Sequence, residues 1–303
     1  MPIVRQNDLF FHKRGYFLSA ALGHKKRNLV YLTLLVAVLM ICIIWNGLER
    51  IPTGPAEGVR FAGAAPRPQA DRTTIRVGTF NIHGGKGRDG RMDLSRTADC
   101  LKDLDLIALN EVHGSFLRQE DNQAALLGSW LNLAWLFAPT QRQWWPGEFG
   151  NGILTSLQVI HWQRIPLPGK TRGRHRNAVL AQLLHGDHNI NILVTHIDRQ
   201  FDQPAQLRTI FSLFLALAEP AILLGDLNAT DEDPLVRKFL ATPGVVDPVG
   251  GLLAEAQSNR IDWIFTRGLQ AETAALCDND ASDHPCVRAE LSISPATVHL
   301  PDN

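Results

Sequence analysis

The stretch that decides the fold is Ala221-Ile222-Leu223-Leu224-Gly225-Asp226-Leu227-Asn228. Its first four residues are apolar and suit a buried β-strand, and the polar residues begin where such a strand ends. Asp226 and Asn228 are two residues apart, a spacing that directs both side chains to the same side of an extended chain. The stretch therefore predicts either a site built from these two side chains or an Asp/Asn turn.

The same arrangement recurs along the chain. Short strand-like runs alternate with helical patterns, and polar side chains directly follow several of the strands. Carboxylate and amide oxygens suit Mg²⁺, and cleavage of a phosphate ester needs such a cation, a base and fixed hydrogen-bond donors. In chain order these strand-end residues are Asn81, Glu111, His196, Asp226, Asn228, Asp262, Asp283 and His284.

Two of these carboxylates carry the most information. Glu111 follows an apolar run that ends at Asn110, where a strand would expose its last residue to a cation; the alternative is a solvated loop acid. Asp262 lies inside an apolar run and needs a partner there. Histidine is the obvious partner, because a carboxylate that orients an imidazole makes a base able to activate water. His196 could supply a second imidazole or serve a structural role.

Periodicity predicts three helices and nine strands. The helices are Leu94–Leu104 with Asp93 as N-cap, Asn122–Leu131 and Gln206–Leu217. The strands are Thr74–Ile82, Leu106–Asn110, Trp135–Ala138, Gly152–Leu154, Ala178–Leu184, Ile190–His196, Ala221–Gly225, Ile261–Phe265 and Val287–Leu291.

The N-terminal region predicts a membrane anchor. Leu29–Trp45 contains no charged residue and is just long enough to span a bilayer. The segment after it, Trp45–Glu49, lacks the small residues of a signal-peptidase site. Six Lys and Arg residues precede the run and keep the N-terminus cytoplasmic. We therefore expect a single-pass protein with a cytoplasmic tail over residues 1–28, an anchor over 29–48 and a catalytic domain in the periplasm of a bacterial inner membrane.

A Pro-, Gly- and Ala-rich segment over residues 49–72 predicts a semi-extended tether, followed by one domain over residues 73–303. Residues 71–303 hold 21 Lys and Arg against 27 Asp and Glu, so the domain is mildly acidic. This balance disfavours tight binding of duplex DNA. Of the four cysteines, Cys277 and Cys286 could bridge, whereas Cys100 suits a core position.

Seven segments together resemble the endonuclease/exonuclease/phosphatase superfamily, the DNase-I-like group, and they follow that superfamily's order across the domain. The segments are Thr79-Phe80-Asn81-Ile82, Leu109-Asn110-Glu111-Val112, Gly150-Asn151-Gly152-Ile153-Leu154, Val194-Thr195-His196, Gly225-Asp226-Leu227-Asn228, Arg260-Ile261-Asp262-Trp263-Ile264 and Ser282-Asp283-His284-Pro285. The resemblance implies a four-layer α/β sandwich, two packed mixed β-sheets flanked by helices, with one pocket where the loops meet.

The resemblance also implies a role for each matching residue. Glu111 would bind Mg²⁺ or Mn²⁺ with Asn81 and Asp283 nearby, and Asp226 and Asn228 would hold the phosphate or the nucleophile. His196 would donate to a phosphoryl oxygen, and His284, oriented by Asp262, would activate water for in-line attack. Whether His284 or Asp226 takes the proton stays open. Asn151 and Arg176 are implied substrate-binding residues.

The chain departs from the family pattern after Gly-Asn-Gly-Ile-Leu, where Thr155-Ser156-Leu157 replaces the usual Ser-Arg and removes a phosphate contact. The basic run Lys170, Arg172, Arg174, His175 and Arg176 could grip a second phosphate or a lipid headgroup, or form a solvated hairpin. Trp144-Trp145-Pro146 could line the site or pack in the core.

The expected function is that of a membrane-anchored, Mg²⁺-dependent phosphodiesterase, and specifically an endonuclease or general phosphodiesterase. One alternative is an enzyme that acts on phospholipid headgroups, of the sphingomyelinase type, which the bilayer anchor favours. Another is a catalytically inactive binding module of the same fold, which the intact set of candidate ligands and base disfavours.

Overall fold

The computed structural model describes residues 8–49, 54, 56–67, 73–143, 147–169, 175–253 and 259–293. The chain forms two compact units, residues 1–49 and residues 50–303. The aromatic segment Trp144-Trp145-Pro146 and the basic residues Lys170, Arg172 and Arg174 lie outside the described residues.

The first unit is one long helix, α1, over Asp8–Glu49. Within it, His24–Ile44 is 21 residues long with a mean hydropathy of 2.3, and its side chains are not buried against other parts of the chain. By length and composition this helix can cross a bilayer. A signal sequence near the N-terminus has the same properties, so the helix is either a membrane span or a signal sequence.

The second unit is built on two mixed sheets. One sheet has the strand order β1-β8-β9-β10-β11-β12, and the other has the order β13-β14-β3-β4-β7-β6-β2, with β5 paired to β4. The strands are β1 Glu57–Gly58, β2 Ala62–Gly63, β3 Thr74–Asn81, β4 Leu106–Ser115, β5 Arg118–Asn122, β6 Ala134–Arg142, β7 Gly147–Thr155, β8 Gln158–Pro166, β9 Asn177–His185, β10 His188–His196, β11 Ala221–Asp226, β12 Asp262–Arg267, β13 Leu269–Cys277 and β14 Cys286–Ile293.

In the described residues of this unit, five helices cover the sheets, and a 3-10 turn over His83–Gly85 follows β3. The helices are α2 Leu94–Leu101, α3 Gln123–Leu131, α4 Gln203–Ala216, α5 Pro234–Leu240 and α6 Pro248–Leu252. The predicted N-cap is confirmed, because the Asp93 carboxylate accepts a hydrogen bond from the backbone N–H of Ser95.

Buried side chains alternate between the two faces of each sheet. Ile192 of β10 packs in the cluster between the sheets, whereas its neighbour Leu193 packs in the cluster formed with α4 and α5. In β4, Ala108 faces the other sheet and Ile107 packs with α2 and α3. Strands buried on both faces require apolar residues at successive positions, as the sequence has. The predicted four-layer α/β sandwich is therefore confirmed.

The predicted elements differ from the observed ones mainly at their ends. Helix α4 begins at Gln203, three residues earlier than expected, since Pro204 fits the first turn of a helix. Strand β4 continues five residues past Asn110 to Ser115, where its partners β7 and β5 supply hydrogen bonds. Strands β8 and β13 were not predicted, because their polar and apolar residues are mixed and β13 is a largely exposed edge strand.

Part of the segment expected to be a tether belongs to the folded domain. Its strands β1 and β2 pair with β8 and β6. Phe61 is buried in the core between the sheets and packs edge-to-face against Trp162. The indole N–H of Trp162 donates to the carbonyl of Arg60 at 3.2 Å. Residues 57–66 therefore extend the edges of both sheets, and a fragment that starts at residue 71 would lack them.

The cysteine pairing differs from the expectation. Cys100, at the end of α2, forms a disulfide with Cys277, at the end of β13. Cys286 lies opposite Cys277 in the β13–β14 ladder, yet it is a free thiol buried in the core beneath α2. Burial raises the pKa of the Cys286 thiol to about 12. The expected pair was wrong because α2, which no spacing rule places beside the end of β13, brings Cys100 within disulfide range of Cys277, at a Cα–Cα distance of 5.7 Å.

We expect removal of this disulfide to destabilise the domain. In Cys100→Ser or Cys277→Ser, the free energy of unfolding should fall by about 2–5 kcal/mol, since the bridge joins residues 177 positions apart and restricts the unfolded chain. Urea unfolding of the full chain in detergent micelles measures this. Cys42→Ser, in α1, is the control and should leave the unfolding midpoint unchanged. Four reactive thiols in the unreduced, denatured wild-type protein would contradict the assignment.

Candidate active site

The carboxyl ends of four strands meet at one end of the sandwich. Strands β3 and β4 are parallel neighbours in one sheet, and β10 and β11 are parallel neighbours in the other. The two strands of each pair therefore present their last residues at the same end of the sheet. Asn81 ends β3, His196 ends β10 and Asp226 ends β11. The predicted strand-end residues are thus gathered from both sheets into one region.

Asn110 ties the two sheets together at this point. Its amide oxygen accepts a hydrogen bond from the backbone N–H of Asp226 at 2.9 Å. Its amide nitrogen donates to the Thr195 carbonyl at 3.0 Å and to the side-chain oxygen of Asn151 at 2.9 Å. Asn151 in turn donates to the side chain of Asn177 at 3.1 Å. This buried amide chain links β4, β7, β9, β10 and β11, and it includes Asn151, which was predicted to bind substrate.

Glu111 stands on a β-bulge. The register between β4 and β7 shifts between Leu109 and Val112, so Asn110 and Glu111 face one residue of β7. Glu111 has a φ of 59°, in the left-handed region that residues other than glycine rarely adopt. Its carboxylate accepts a hydrogen bond from the Asn81 amide at 3.3 Å. Glu111 was expected at the end of a strand. It lies instead within β4, and the bulge turns its side chain away from the regular pattern of that strand.

Asp226 is the centre of the site. Its carboxylate accepts hydrogen bonds from the Asn81 amide at 3.0 Å and from the backbone N–H of Asn228 at 2.8 Å. The Asn228 amide lies 3.2 Å from Nε2 of His196 and also donates to the Ile197 carbonyl at 3.0 Å. His196 Nε2 lies 3.6 Å from Asp226. Of the two predictions for this stretch, the Asx turn is present, and it places the Asn228 amide beside His196.

Asp262 and His284 form the predicted carboxylate–imidazole pair. Asp262 begins β12 directly opposite Asp226 in the β11–β12 ladder. Its Oδ2 lies 2.6 Å from Nδ1 of His284, so the ring donates through Nδ1. The loop that carries His284 is held by Ser282, whose hydroxyl donates to the Asn81 carbonyl at 2.7 Å. The pair therefore stands against the same strands as Asn81 and Asp226.

These groups change one another's proton affinity. Burial, together with the charge of the adjacent Asp262 carboxylate, raises the pKa of Asp226 to about 7, because two neighbouring carboxylates resist being charged together. Burial acts to lower the pKa of His284, but the hydrogen bond and charge of Asp262 outweigh it and raise the pKa to about 9. Burial lowers the pKa of His196 well below its usual value, and Arg176 adds to this. Displaced pKa values clustered in one pocket are typical of functional sites.

Asp283 lies apart from this buried group. Its side chain is exposed, and its carboxylate is 3.4 Å from Nδ1 of His83, in the 3-10 turn after β3. The backbone of His83 has a φ of 47° and its N–H donates to the amide oxygen of Asn81. The turn therefore brings an imidazole to the rim beside Asn81, which sequence reasoning missed because the turn conformation was not predicted.

Phe149 forms an aromatic wall next to His196. The two rings lie 6.3 Å apart between centroids, and His113 packs edge-to-face on Phe149 at 5.8 Å. The Arg176 guanidinium lies 5.7 Å above the Phe149 ring. The predicted residue Arg176 is thus placed next to His196, whereas Phe149 was missed, since its position just before Gly150-Asn151 carries no polar signal.

The donor set fits a hard divalent cation. Asp226, Asp262 and His284 present ligand atoms that all lie within 4.8 Å of one another. Oδ1 of Asp262 is buried and has no hydrogen-bond partner among the described residues. The predicted ligand Asn81 joins this group by donating to Asp226, and the predicted ligand Glu111 joins it by accepting from Asn81. Carboxylate and amide oxygens around one polar pocket suit Mg²⁺ or Mn²⁺ better than soft metals.

Two mixed sheets with outer helices, and a pocket of carboxylates, amides and imidazoles at the strand ends, define a phosphoesterase fold of the four-layer α/β class. The family model "Endonuclease/Exonuclease/phosphatase family" matches residues 78–284. The chain therefore belongs to the endonuclease/exonuclease/phosphatase family. No curated protein matches it.

Solved structures share the fold. An endonuclease/exonuclease/phosphatase from Beutenbergia cavernae is 22% identical, with a TM-score of 0.62, over 73% of this chain and 72% of that one. The human Nocturnin catalytic domain with a bound sulfate is 18% identical, with a TM-score of 0.57, over 73% and 94%. D. rerio TDP2 complexed with a single-strand DNA product is 18% identical, with a TM-score of 0.52, over 73% and 100%.

We expect Asn110→Ala to destabilise the domain by about 2–4 kcal/mol, because it leaves the buried N–H of Asp226 and the Thr195 carbonyl without their partner. Asn191→Ala is the matched control, since that amide lies nearer the surface, where it donates to the Ala218 carbonyl and accepts from the Gln182 side chain. Chemical unfolding of both variants measures the difference. Equal losses would show that Asn110 does not tie the sheets together.

Proposed function

We propose that this protein is a membrane-anchored, divalent-metal-dependent phosphodiesterase. The observation that carries the proposal is the Asp262–His284 pair, hydrogen-bonded at 2.6 Å and set against the carboxylate of Asp226. A carboxylate-oriented imidazole beside oxygen ligands supplies a proton acceptor and a cation site in one pocket. The intact set disfavours the alternative of an inactive binding module.

In the proposed mechanism, Asp262 holds His284 through Nδ1 and leaves Nε2 as the ring position that exchanges a proton with water. Asp226 is the second candidate for the same role, since it is buried beside the pair. Asn228, fixed by the Asp226 turn, and His196 donate hydrogen bonds to the phosphoryl oxygens. These donors are held by the protein before substrate binds, which favours stabilisation of the charge that develops in the transition state.

Glu111, with Asn81 and Asp283, is the proposed ligand set for Mg²⁺, and Mn²⁺ is the second candidate. A bound cation would neutralise negative charge on the phosphoryl oxygens. The strained backbone of Glu111 supports this role, because such strain persists mostly where a functional group must be aimed. Asp283 would complete the set by turning from His83 toward the pocket.

The proposed substrate is a phosphodiester of nucleic acid. The fold neighbour TDP2 carries a single-strand DNA product in its solved structure, and Arg176 stands beside His196 where it can bind a second phosphate. Asn151, within the amide chain, is proposed to set the position of the groups that contact substrate. A phospholipid headgroup has the same phosphodiester and is the second candidate, favoured by the apolar helix.

We propose that α1 is an uncleaved anchor and that the domain lies outside the cytoplasm. Basic residues that precede the apolar run support a cytoplasmic N-terminus. The Cys100–Cys277 disulfide supports an oxidising compartment such as the periplasm. The lipid bilayer is then a partner of the chain through this helix.

We expect Mg²⁺ to raise the melting temperature of the full chain in detergent micelles, because a ligand that binds the folded state stabilises it. Glu111→Gln should abolish most of this rise, since it removes the charge but keeps the shape. Glu120→Gln, on β5, is the control and should respond as wild type does. An equal Mg²⁺ shift in Glu111→Gln would count against this ligand assignment.

Hydrolysis is tested on supercoiled plasmid DNA and, separately, on phospholipid vesicles. With Mg²⁺, the wild-type chain should nick the plasmid, and His284→Ala should lose about 100-fold or more of that rate, as expected for loss of a general base. His161→Ala, an exposed histidine on β8, should retain the rate. Hydrolysis of vesicles alone would assign the enzyme to phospholipid, and hydrolysis of neither would refute the proposed function.

A further inference from the structure

Phe201 is the most exposed of the large apolar side chains in the described residues, with 79% of its surface accessible. It lies five residues after His196, in the loop between β10 and α4. An isolated exposed apolar residue needs no explanation. Phe201 differs from the other exposed apolar side chains in two ways. It lies next to the candidate active site, and hydrogen bonds hold its loop in place.

The loop that carries Phe201 is held by buried side chains. The carboxylate of Asp198 accepts hydrogen bonds from the backbone N–H groups of Gln200 and Asp202, at 3.3 and 3.4 Å. The Asp198 N–H donates to the side chain of Gln206 at 2.8 Å. These contacts fix both sides of Phe201 while its ring stays in solvent. The ring is therefore presented in a set position, which lowers the entropy lost when a ligand packs on it.

The same loop is joined to the catalytic machinery. The backbone N–H of Ile197 donates to the Asp226 carbonyl at 2.9 Å, and the side chain of Gln203 donates to the Asn228 carbonyl. Gln206 also donates to the carbonyl of Pro168, at the start of the segment that leads to Arg176. Phe201 thus projects from a loop that contacts the backbone of Asp226 and of the proposed phosphate-binding residue Asn228.

The surroundings of Phe201 favour a single flat partner over a membrane. Its neighbours are Arg199, Gln200, Asp202 and Gln203, all polar, so the loop has one apolar side chain to insert. Insertion into lipid favours a continuous apolar face. One aromatic ring with an exposed Arg two residues away instead matches a single-stranded nucleic-acid site, where bases stack on aromatic rings and cations follow the backbone.

We propose that Phe201 is a stacking platform for one base of a single-stranded nucleic acid whose adjacent phosphodiester lies at His196 and Asn228. The inference rests on the proposed phosphodiesterase function and names its substrate class. An unpaired strand also suits the charge of the domain, because stacking reduces the need for the Lys and Arg contacts that duplex binding demands. Phe201 takes no part in the chemical step.

Binding is measured with the full chain in detergent micelles, with Mg²⁺ present and with His284→Ala as the parent so that the probe is not cleaved. The probe is a fluorescein-labelled single-stranded DNA of about 12 nucleotides, within the usual range of single-strand sites. A second probe of equal length replaces each base by an abasic tetrahydrofuran. Fluorescence anisotropy gives the Kd for both.

Adding Phe201→Ala to the parent should raise the Kd for the base-containing probe about tenfold, the size expected for loss of one stacked base. Its Kd for the abasic probe should be unchanged, and Phe201→Trp should bind as the parent does. Trp130→Ala is the control, since this exposed aromatic lies at the end of α3, next to the start of β6. Strand β6 runs in the same direction as β4, whose carboxyl end lies at the candidate active site. Trp130 is therefore at the opposite end of the sandwich from that site. This variant should bind both probes as the parent does.

Three results with the two DNA probes would overturn the inference: no binding of the base-containing probe by the parent, an unchanged Kd in Phe201→Ala, or an equal weakening for both probes. A soluble short-chain phosphatidylglycerol serves as a third probe. If Phe201→Ala weakens binding of this lipid but not of the DNA probes, the inference is overturned in favour of a lipid contact. Failure of the plasmid assay together with the expected binding pattern would refute the hydrolase and leave the stacking site. Plasmid cleavage with an unchanged Kd in Phe201→Ala would support the hydrolase and refute the stacking site.

Discussion

The site depends on one buried amide, that of Asn110. Two sheets packed face to face are held mainly by apolar contact, which has no direction and does not by itself fix how their ends align. Asn110 fixes this alignment, because its hydrogen bonds to Asp226 and Thr195 join one sheet to the carboxyl ends of two strands in the other. A buried polar group is stable only when its partners are in place, so this contact sets the alignment of the strand ends with high precision.

Around this contact the backbone takes conformations that ordinary strands and turns avoid. Glu111 and Asn228 both have positive φ, at 59° and 49°; the Glu111 carboxylate accepts from the Asn81 amide, and the Asn228 N–H donates to the Asp226 carboxylate. Gly225, just before Asp226, has a φ of 146°, and a Cβ there would lie 1.9 Å from the Thr195 carbonyl oxygen. The close approach of β10 to β11 therefore requires glycine at this position. At Glu111 and Asn228 this unusual backbone conformation aims a functional group into the site.

The segment between the apolar helix and the domain also has a structural role. Residues 57–66 extend the edges of both sheets, and Phe61 fills part of the core between them. At the other edge, the disulfide joins α2 to β13, the exposed final strand of its sheet. Both edges of the larger sheet are therefore reinforced, which limits the exposure of unpaired strand edges.

The sequence by itself determined the fold class, the order of the main strands, the apolar helix and the identity of the strand-end polar residues. The fold class follows from the resemblance of seven segments to the family, and the rest follows from local periodicity and from residue types that need a partner when buried, as Asp262 does. Only the tertiary structure decided the bulge at Glu111, the Cys100–Cys277 pairing, the linking role of Asn110 and the aromatic wall at Phe149. Each of these depends on which residues from distant segments become neighbours, and spacing along one chain does not contain that information.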